Sequence, residues 1–260
     1  MKYSKVLIAG AGSYIASQII NELDFGAAEL FLVSRKTLNP HLLKNHRQVN
    51  RLIIEEFSDQ GSFESLQRFL RLERDDHLLV INFIAVFGSL ADVDEIKSKD
   101  FHSEVKQNLD PFLTLSKLIV KCDAGLFVSF AGGGIGGDNL ETISPSYLAS
   151  KAALVFLIEG FDEKYRARGV RFTAISPGAF PSRMQEIVAK SPQKSVVSQQ
   201  RRIEAAKTLN STADPAKLIA AINFLIRNPE EAGGRIWSAN YDQLSAKNTI
   251  VNFGKLRRVY

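Results

Sequence analysis

Lys5-Val6-Leu7-Ile8-Ala9-Gly10-Ala11-Gly12-Ser13-Tyr14-Ile15-Ala16 is the stretch on which the reading of this chain turns. Residues 5–9 form a short apolar run, the pattern of a buried strand. Two glycines follow at once, and then Ile15, Ile19, Ile20 and Leu23 recur at helical spacing. Strand, glycine turn and helix together bring backbone N–H groups and a helix N-terminus up to a pyrophosphate. A tight strand-to-helix connection without a ligand has the same pattern, so the turn alone leaves both readings open. The next strand, Glu29 to Ser34, returns about 20 residues later, room enough for the crossover a parallel pair requires.

Beyond it the alternation continues. Residues 37–50 are polar, a loop or short helix, and Leu52 to Phe57 reads as a third strand. Gly61 to Glu73 is an amphipathic helix, His77 to Ala85 a central fourth strand, and Phe101 to Cys122 a long helix. Leu126 to Phe130 opens into the glycine-rich loop Gly132 to Gly137. Pro145 to Arg168 is a second long helix, Val170 to Ser176 a sixth strand, Ala216 to Arg227 the last long helix and Arg235 to Ala239 a seventh strand. Residues 179–200 have weak periodicity and contain Pro181 and Pro192, which predicts a mobile substrate lid, drawn broadly as 179–212. Strands alternating with helices over the whole length predict an α/β fold, a Rossmann-like, doubly wound, seven-stranded parallel sheet forming one domain over residues 1–260.

Composition narrows the class. A 260-residue chain with 45% hydrophobic residues has enough apolar mass for a sizeable core. It has no apolar run of roughly 18 or more residues, so no membrane partner is expected. The single cysteine, Cys122, excludes an internal disulfide and a cysteine-based zinc site, and the four histidines lack metal-ligand spacing; no metal is expected, and the cytoplasm is the simplest compartment. A net charge of +5 suits an anionic cofactor and an anionic small-molecule substrate. Lys and Arg are scattered except at Lys255, Arg257 and Arg258, and no nucleic-acid-binding module is present.

Several residues carry candidate chemistry. The second strand ends in Ser34-Arg35-Lys36. An acidic residue there accepts hydrogen bonds from ribose hydroxyls, whereas a cationic pair attracts a 2′-phosphate, favouring NADP(H) over NAD(H). The other reading is two basic residues in a surface loop. Tyr147 and Lys151 are four apart, on one helical face, with Pro145 suited to the first turn and Ser144 to its cap. An ammonium one turn from a phenol favours the phenolate, so the Tyr147 pKa is expected to fall below its ordinary 10. Most such pairs are solvated neighbours, and the spacing alone does not decide. Asn108, inside a long helix near its apolar face, is either satisfied by backbone or part of a site.

In this order, Gly10, Asn82, Asn108, Tyr147 with Lys151, and Pro177-Gly178 make the chain resemble the compact short-chain dehydrogenase/reductase family over about residues 5–240. The resemblance implies hydride transfer between a nicotinamide and a carbonyl or alcohol. Tyr147 would be the general acid/base, Lys151 would lower its pKa and bind the nicotinamide ribose, and Asn108 would hold a water in the proton relay. Cofactor contacts would come from Gly10, Gly12, Ser13, Tyr14, Ile15, Ser34, Arg35, Lys36, Glu56, Phe57, Asn82, Ala85, Tyr147, Lys151, Pro177, Gly178, Phe180 and Ser182. The family also pairs its two long helices across a two-fold axis. A homodimer or homotetramer is therefore expected, with Leu113, Leu115, Leu118, Leu154, Phe156 and Leu157 as apolar positions beyond one face. The glycine-rich loop, Pro177-Gly178-Ala179-Phe180 and Gly234 to Ala239 resemble a branch associated with polysaccharide and nucleotide-sugar genes, which points to a substrate of that kind.

The chain departs from the family at several points. Tyr14 and Ala16 stand in place of two glycines, and Ser238 to Asp242 differs from the usual C-terminal motif. The serine that binds the substrate oxygen should fall at Ala131 or Gly132, and neither supplies a hydroxyl. Ser129, Thr142, Ser144 and Ser146 are nearby alternatives. A nucleotide-binding protein without turnover, a sensor or regulatory subunit, is the second reading that this absence supports.

Overall fold

The computed structural model describes residues 3–39, 42–43, 46, 48–57, 59–92, 94–132, 144–192, 197, 199–211, 215–240, 242–244 and 250–252. The chain runs β1 (Lys5–Ala9), α1 (Tyr14–Ile19) with a 3-10 turn, β2 (Glu29–Ser34), β3 (Val49–Ile53), α2 (Asp59–Leu70), β4 (His77–Asn82) and α3 (Ser98–Ile119). It continues with β5 (Ala124–Phe130), α4 (Pro145–Tyr165) with a second 3-10 turn, β6 (Val170–Ser176), α5 (Arg183–Ala189) and α6 (Gln199–Leu209). The last elements are α7 (Ala216–Arg227), α8 (Pro229–Ala232), β7 (Ile236–Ser238), and a small antiparallel pair, β8 (Gln243–Leu244) with β9 (Ile250–Asn252).

Seven strands form one parallel sheet in the order β3-β2-β1-β4-β5-β6-β7, the Rossmann-like doubly wound arrangement expected. Apart from the edge strand β3, its strands are near-continuous runs of buried residues because helices cover both faces. On one face Val6, Ile8, Leu32, Ile81 and Val128 pack against α1 and against Ile222 and Leu225 of α7. On the other, Leu7, Phe31, Val80, Phe127 and Phe172 meet Leu66 of α2, Phe112 and Leu115 of α3, and Leu154 and Ile158 of α4. Burying each such side chain contributes about 1.5–3 kcal/mol. Chain order reverses direction between β1 and β4, and a doubly wound sheet binds ligands in the crevice at such a switch point.

Several boundaries differ from expectation for physical reasons. β3 sits at Val49–Ile53 rather than Leu52–Phe57, because this edge strand takes its register from β2 alone, with Leu30 beside Val49 and Ser34 beside Ile53. Ile54 and Phe57 then pack onto the core beyond the strand. β4 ends at Asn82 because the Asn82 side-chain oxygen accepts the Ile84 N–H at 3.1 Å and turns the chain. The span expected to be a lid contains two helices, α5 and α6. Of the apolar positions expected to face a partner, Leu115, Leu118 and Leu154 lie in the core, whereas Leu113 and Phe156 are exposed.

At the opposite end of the sheet from the crevice, Asp162 of α4 accepts from Arg171 Nε at 2.9 Å, from a terminal nitrogen at 3.0 Å, and from the Phe172 N–H at 2.9 Å. Arg171 also donates to the Glu230 carbonyl oxygen and carboxylate. This buried guanidinium ties α4, β6 and α8 together, and a Cβ on Gly233 would overlap it.

Candidate active site

Register lines up the carboxyl ends of five neighbouring strands: Val33 beside Ala9, Ala9 beside Asn82, Asn82 beside Ser129, and Ser129 beside Ala174. Gly10 has φ +74, and a Cβ there would lie 2.9 Å from Ile84 N and Phe83 C. Only glycine suits both the left-handed backbone and that approach. The turn is fixed to β2 by the Gly10 and Ala11 N–H groups, which donate to the Val33 carbonyl. Ser13 Oγ caps α1 by accepting the Ala16 N–H at 3.2 Å. Tyr14, which stands where the family has a glycine, is exposed, and Ala16 is buried in the core. Ile15 is half-buried against the same core. Across the turn, a Cβ on Gly12 would meet Leu38 at 3.3 Å.

The Ser34 hydroxyl donates to the Lys36 carbonyl at 2.5 Å, and Arg35 and Lys36 stand exposed just beyond. Glu56 is exposed and Phe57 half-buried after β3. Asn82 Nδ2 and Ser129 Oγ are buried neighbours, and neither has a hydrogen-bond partner among the described residues. Ala85 is exposed on the strand-end loop. After β6 come Pro177, then Gly178 at φ +86 against Asn240, then buried Phe180 and, before α5, Ser182.

Tyr147 and Lys151 are both buried on α4, with Lys151 Nζ 5.7 Å from the Tyr147 ring centroid. The ammonium donates to the Phe130 carbonyl at the end of β5, at 2.8 Å. The expected direction of the phenol pKa is reversed here. Burial pushes Tyr147 up to about 12 and Lys151 down to about 8. Desolvation of both groups outweighs their attraction, because each charged form loses its water. A Cβ on Gly132 would lie 3.1 Å from the Tyr147 hydroxyl and 3.2 Å from Lys151 Cγ. That position, rather than Ala131, is where a serine would stand beside the phenol.

The alternatives to that serine are placed unequally. Ser146 Oγ donates to Glu104 and is committed. Ser144 Oγ makes no cap to α4, contrary to expectation; it is buried without a partner among the described residues, as is Ser129. Thr142 and Gly133 to Gly137 lie outside the described residues. Asn108 is satisfied by backbone: Oδ1 accepts the Val86 N–H at 2.8 Å and Nδ2 donates to the Val86 carbonyl at 2.9 Å. The side chain is thus a strut holding the loop after β4.

Sequence reasoning missed that loop's other anchor. Glu104 Oε1 accepts from the Ser89 N–H at 2.9 Å and the Ser89 hydroxyl at 2.5 Å, while Oε2 accepts from Ser146. Burial opposes its charge, but the hydrogen bonds from Ser146 and Ser89 win and hold the carboxyl below its ordinary value. The only advance signal was that Glu104 and Asn108 are four apart on one helix face. Between the anchors, the Phe87 ring meets the Tyr147 ring edge-on at 5.4 Å. Phe87 and Leu90 also pack on Val188 of α5 and Ala205 of α6. A cavity of about 230 Å³ opens beside this node, lined in part by Glu95, Lys97, Asp100 and Phe101.

The family model for short chain dehydrogenases matches residues 4–193. The chain belongs to the short-chain dehydrogenase family. It is accordingly an oxidoreductase of the kind that acts on CH–OH and C=O groups with a nicotinamide cofactor. No curated protein matches the chain. Among solved structures, a short-chain dehydrogenase/reductase from Saccharomyces cerevisiae has a TM-score of 0.75 at 17% identity, covering 91% of this chain and 96% of that one. A point variant of actinorhodin polyketide ketoreductase with NADPH has a TM-score of 0.73 at 19% identity, covering 91% and 95%. NAD+-bound xylitol dehydrogenase has a TM-score of 0.65 at 19% identity, covering 90% and 96%. At these identities the structural likeness carries the fold alone. No helix among the described residues of this short-chain dehydrogenase is long and apolar enough to cross a membrane.

Proposed function

We propose that this chain is an NADP(H)-dependent dehydrogenase or reductase acting on a small anionic carbonyl or alcohol, with a nucleotide sugar or polysaccharide precursor as the favoured substrate class. The observation that carries the reading is the buried Tyr147–Lys151 pair beside Gly132, at the end of β5 and next to the switch crevice. The residues present fit a dinucleotide: a glycine turn that a Cβ would block, an orphaned buried amide on Asn82, and two exposed cations after β2.

The bound coenzyme supplies or accepts the hydride. Gly10, Gly12, Ser13, Tyr14 and Ile15 form the wall for its pyrophosphate. Ser34, Arg35 and Lys36 take the 2′-phosphate, and Glu56 and Phe57 flank the adenine. Asn82, Ala85, Lys151, Pro177, Gly178, Phe180 and Ser182 hold the nicotinamide end. The Tyr147 phenol, kept protonated by burial, delivers its proton to the substrate oxygen in the reducing direction and is left as phenolate, and in the oxidising direction that phenolate takes the alcohol proton. Lys151 gains charge most readily when negative charge develops beside it.

The basic net charge supports an anionic substrate. The packing of α5 and α6 on Phe87 and Leu90 supports their role as a lid over the phenol. A cytoplasmic location fits the single buried cysteine. Exposed Leu113 and Phe156 support a homodimer or homotetramer through α3 and α4. A monomer by light scattering at micromolar concentration counts against that assembly.

Fluorescence titration tests the cofactor. NADPH is expected to bind more tightly than NADH by about 1–3 kcal/mol, the value of charge-assisted hydrogen bonds to Arg35 and Lys36. Equal affinities, or a preference for NADH, refute the assignment. The glycine at position 132 favours one competing reading, a nucleotide-binding subunit without turnover. Tight NADPH binding with no turnover in a screen of carbonyls and sugar nucleotides selects it.

A further inference from the structure

We infer that Glu104 is a positioning residue for Tyr147, acting through Ser146 and through the loop after β4, on the reading above that the phenol transfers the proton. Glu104 and Asn108 stand one turn apart on α3. Asn108 grips the Val86 backbone at both its N–H and its carbonyl. One turn earlier, Glu104 grips Ser89 at both its N–H and its hydroxyl. Phe87 lies between these two anchored residues, and its ring meets Tyr147 edge-on.

The other carboxylate oxygen accepts from Ser146, the residue directly before Tyr147 on α4. One carboxylate therefore gathers three donors from two segments, and both segments bear on the phenol. Gly88 shows how closely they meet, since a Cβ there would overlap both Ser146 Oγ and the Glu104 carboxylate. An ordinary solvated glutamate does none of this. Misplacing a reacting group by about 1 Å costs on the order of 10²-fold in rate, so a clamp on this scale matters to proton transfer.

The test is a spectroscopic one that needs no substrate. The chain has six tyrosines, and uniform 3-fluorotyrosine labelling gives each a ¹⁹F resonance, with Tyr147→Phe assigning the one at position 147. Glu104→Ala is expected to shift and broaden that resonance while the other tyrosine resonances stay in place. Glu104→Gln, which still offers an acceptor to Ser89 and a hydrogen bond to Ser146, is expected to restore it. If Glu104→Ala does not fold, Ser146→Ala deletes only the hydroxyl, leaves the Ser89 anchor in place, and is expected to displace the Tyr147 resonance by a smaller amount. An alanine variant that leaves the Tyr147 resonance unmoved, or a glutamine variant displaced as far as the alanine one, overturns the inference. Turnover of Tyr147→Phe separately tests the role of the phenol, so the two failures are distinguishable.

Discussion

Asp162→Ala is expected to destabilise the chain more than any surface charge change. Asp162 accepts three hydrogen bonds, two from Arg171 and one from the Phe172 backbone, and its side chain is 5% exposed against 8% for Arg171. Removing one partner of such a pair strands the other charge and costs about 3–5 kcal/mol. For a chain of this size about 2 °C accompanies each kcal/mol, so the thermal midpoint is expected to fall by roughly 6–10 °C. Glu230 touches the same guanidinium, but its side chain is 74% exposed. Glu230→Gln is therefore expected to cost less than about 1 kcal/mol. Asp162→Ala combined with Arg171→Met removes the stranded charge and is expected to recover much of the loss. Differential scanning calorimetry on the three variants decides it. A midpoint drop below about 2 °C for Asp162→Ala, or a double variant no better than the single, refutes the reasoning.

Three further outcomes follow from the site. Tyr147→Phe keeps the ring and its contact with Phe87 but removes the acid, so turnover should fall by about 10²–10⁴ with NADPH affinity nearly unchanged; Lys151→Ala should lose turnover and weaken NADPH as well. Lys151 titrates near 8 when folded and near 10.5 when unfolded, so the unfolded chain binds more protons in that window and stability should rise with pH across it. Tyr147, raised from 10 to about 12, acts oppositely above pH 10, and Cys122, raised from 9 to about 12, does so above pH 9, so thermal melts of the wild type against Lys151→Met should show the rise only in the wild type and between pH 8 and 9. Gly132→Ser places a hydroxyl beside the phenol, and restoring one such donor should raise turnover by about 10²–10³; steady-state rates that do not increase in a folded variant show that the missing serine is not what limits the reaction.

How much was legible beforehand depends on where each element finds its partners. β1, β2 and β6 were placed to the residue because each has a clear stop, Gly10, Arg35 and Pro177 respectively, after a short run that is mostly apolar in β1 and β2 and rich in β-branched and aromatic residues in β6. β3 slipped by three residues at its start because an edge strand is only half-buried and its apolar residues extend past the ladder. α5 and α6 were missed because each buries a single side chain, Val188 and Ala205, which leaves almost no periodic signal. Tyr147 and Lys151 were found through spacing along one helix, but the direction of their pKa shifts was not, because burial by the surrounding chain leaves no local mark. Glu104 was overlooked for the same reason: Ser89 and Ser146, the partners that give it meaning, are 15 and 42 positions away.

The position of β1 in the sheet has a consequence for how the chain is made. β1 is synthesised before the other six strands of its sheet, yet it lies inside that sheet with β2 on one side and β4 on the other. Its β2 edge is closed once residues 29–33 emerge, but its other edge pairs with Leu78 to Asn82. At about 5–20 residues per second, that edge waits roughly 4–15 s on the ribosome for its partner. During the wait Val6, Leu7 and Ile8 present an apolar strand with unpaired backbone groups on one side, the kind of edge that recruits other chains. Slow translation between residues 34 and 77, or too few chaperones to shield the nascent segment, would therefore lower the yield of folded protein without altering a single native contact.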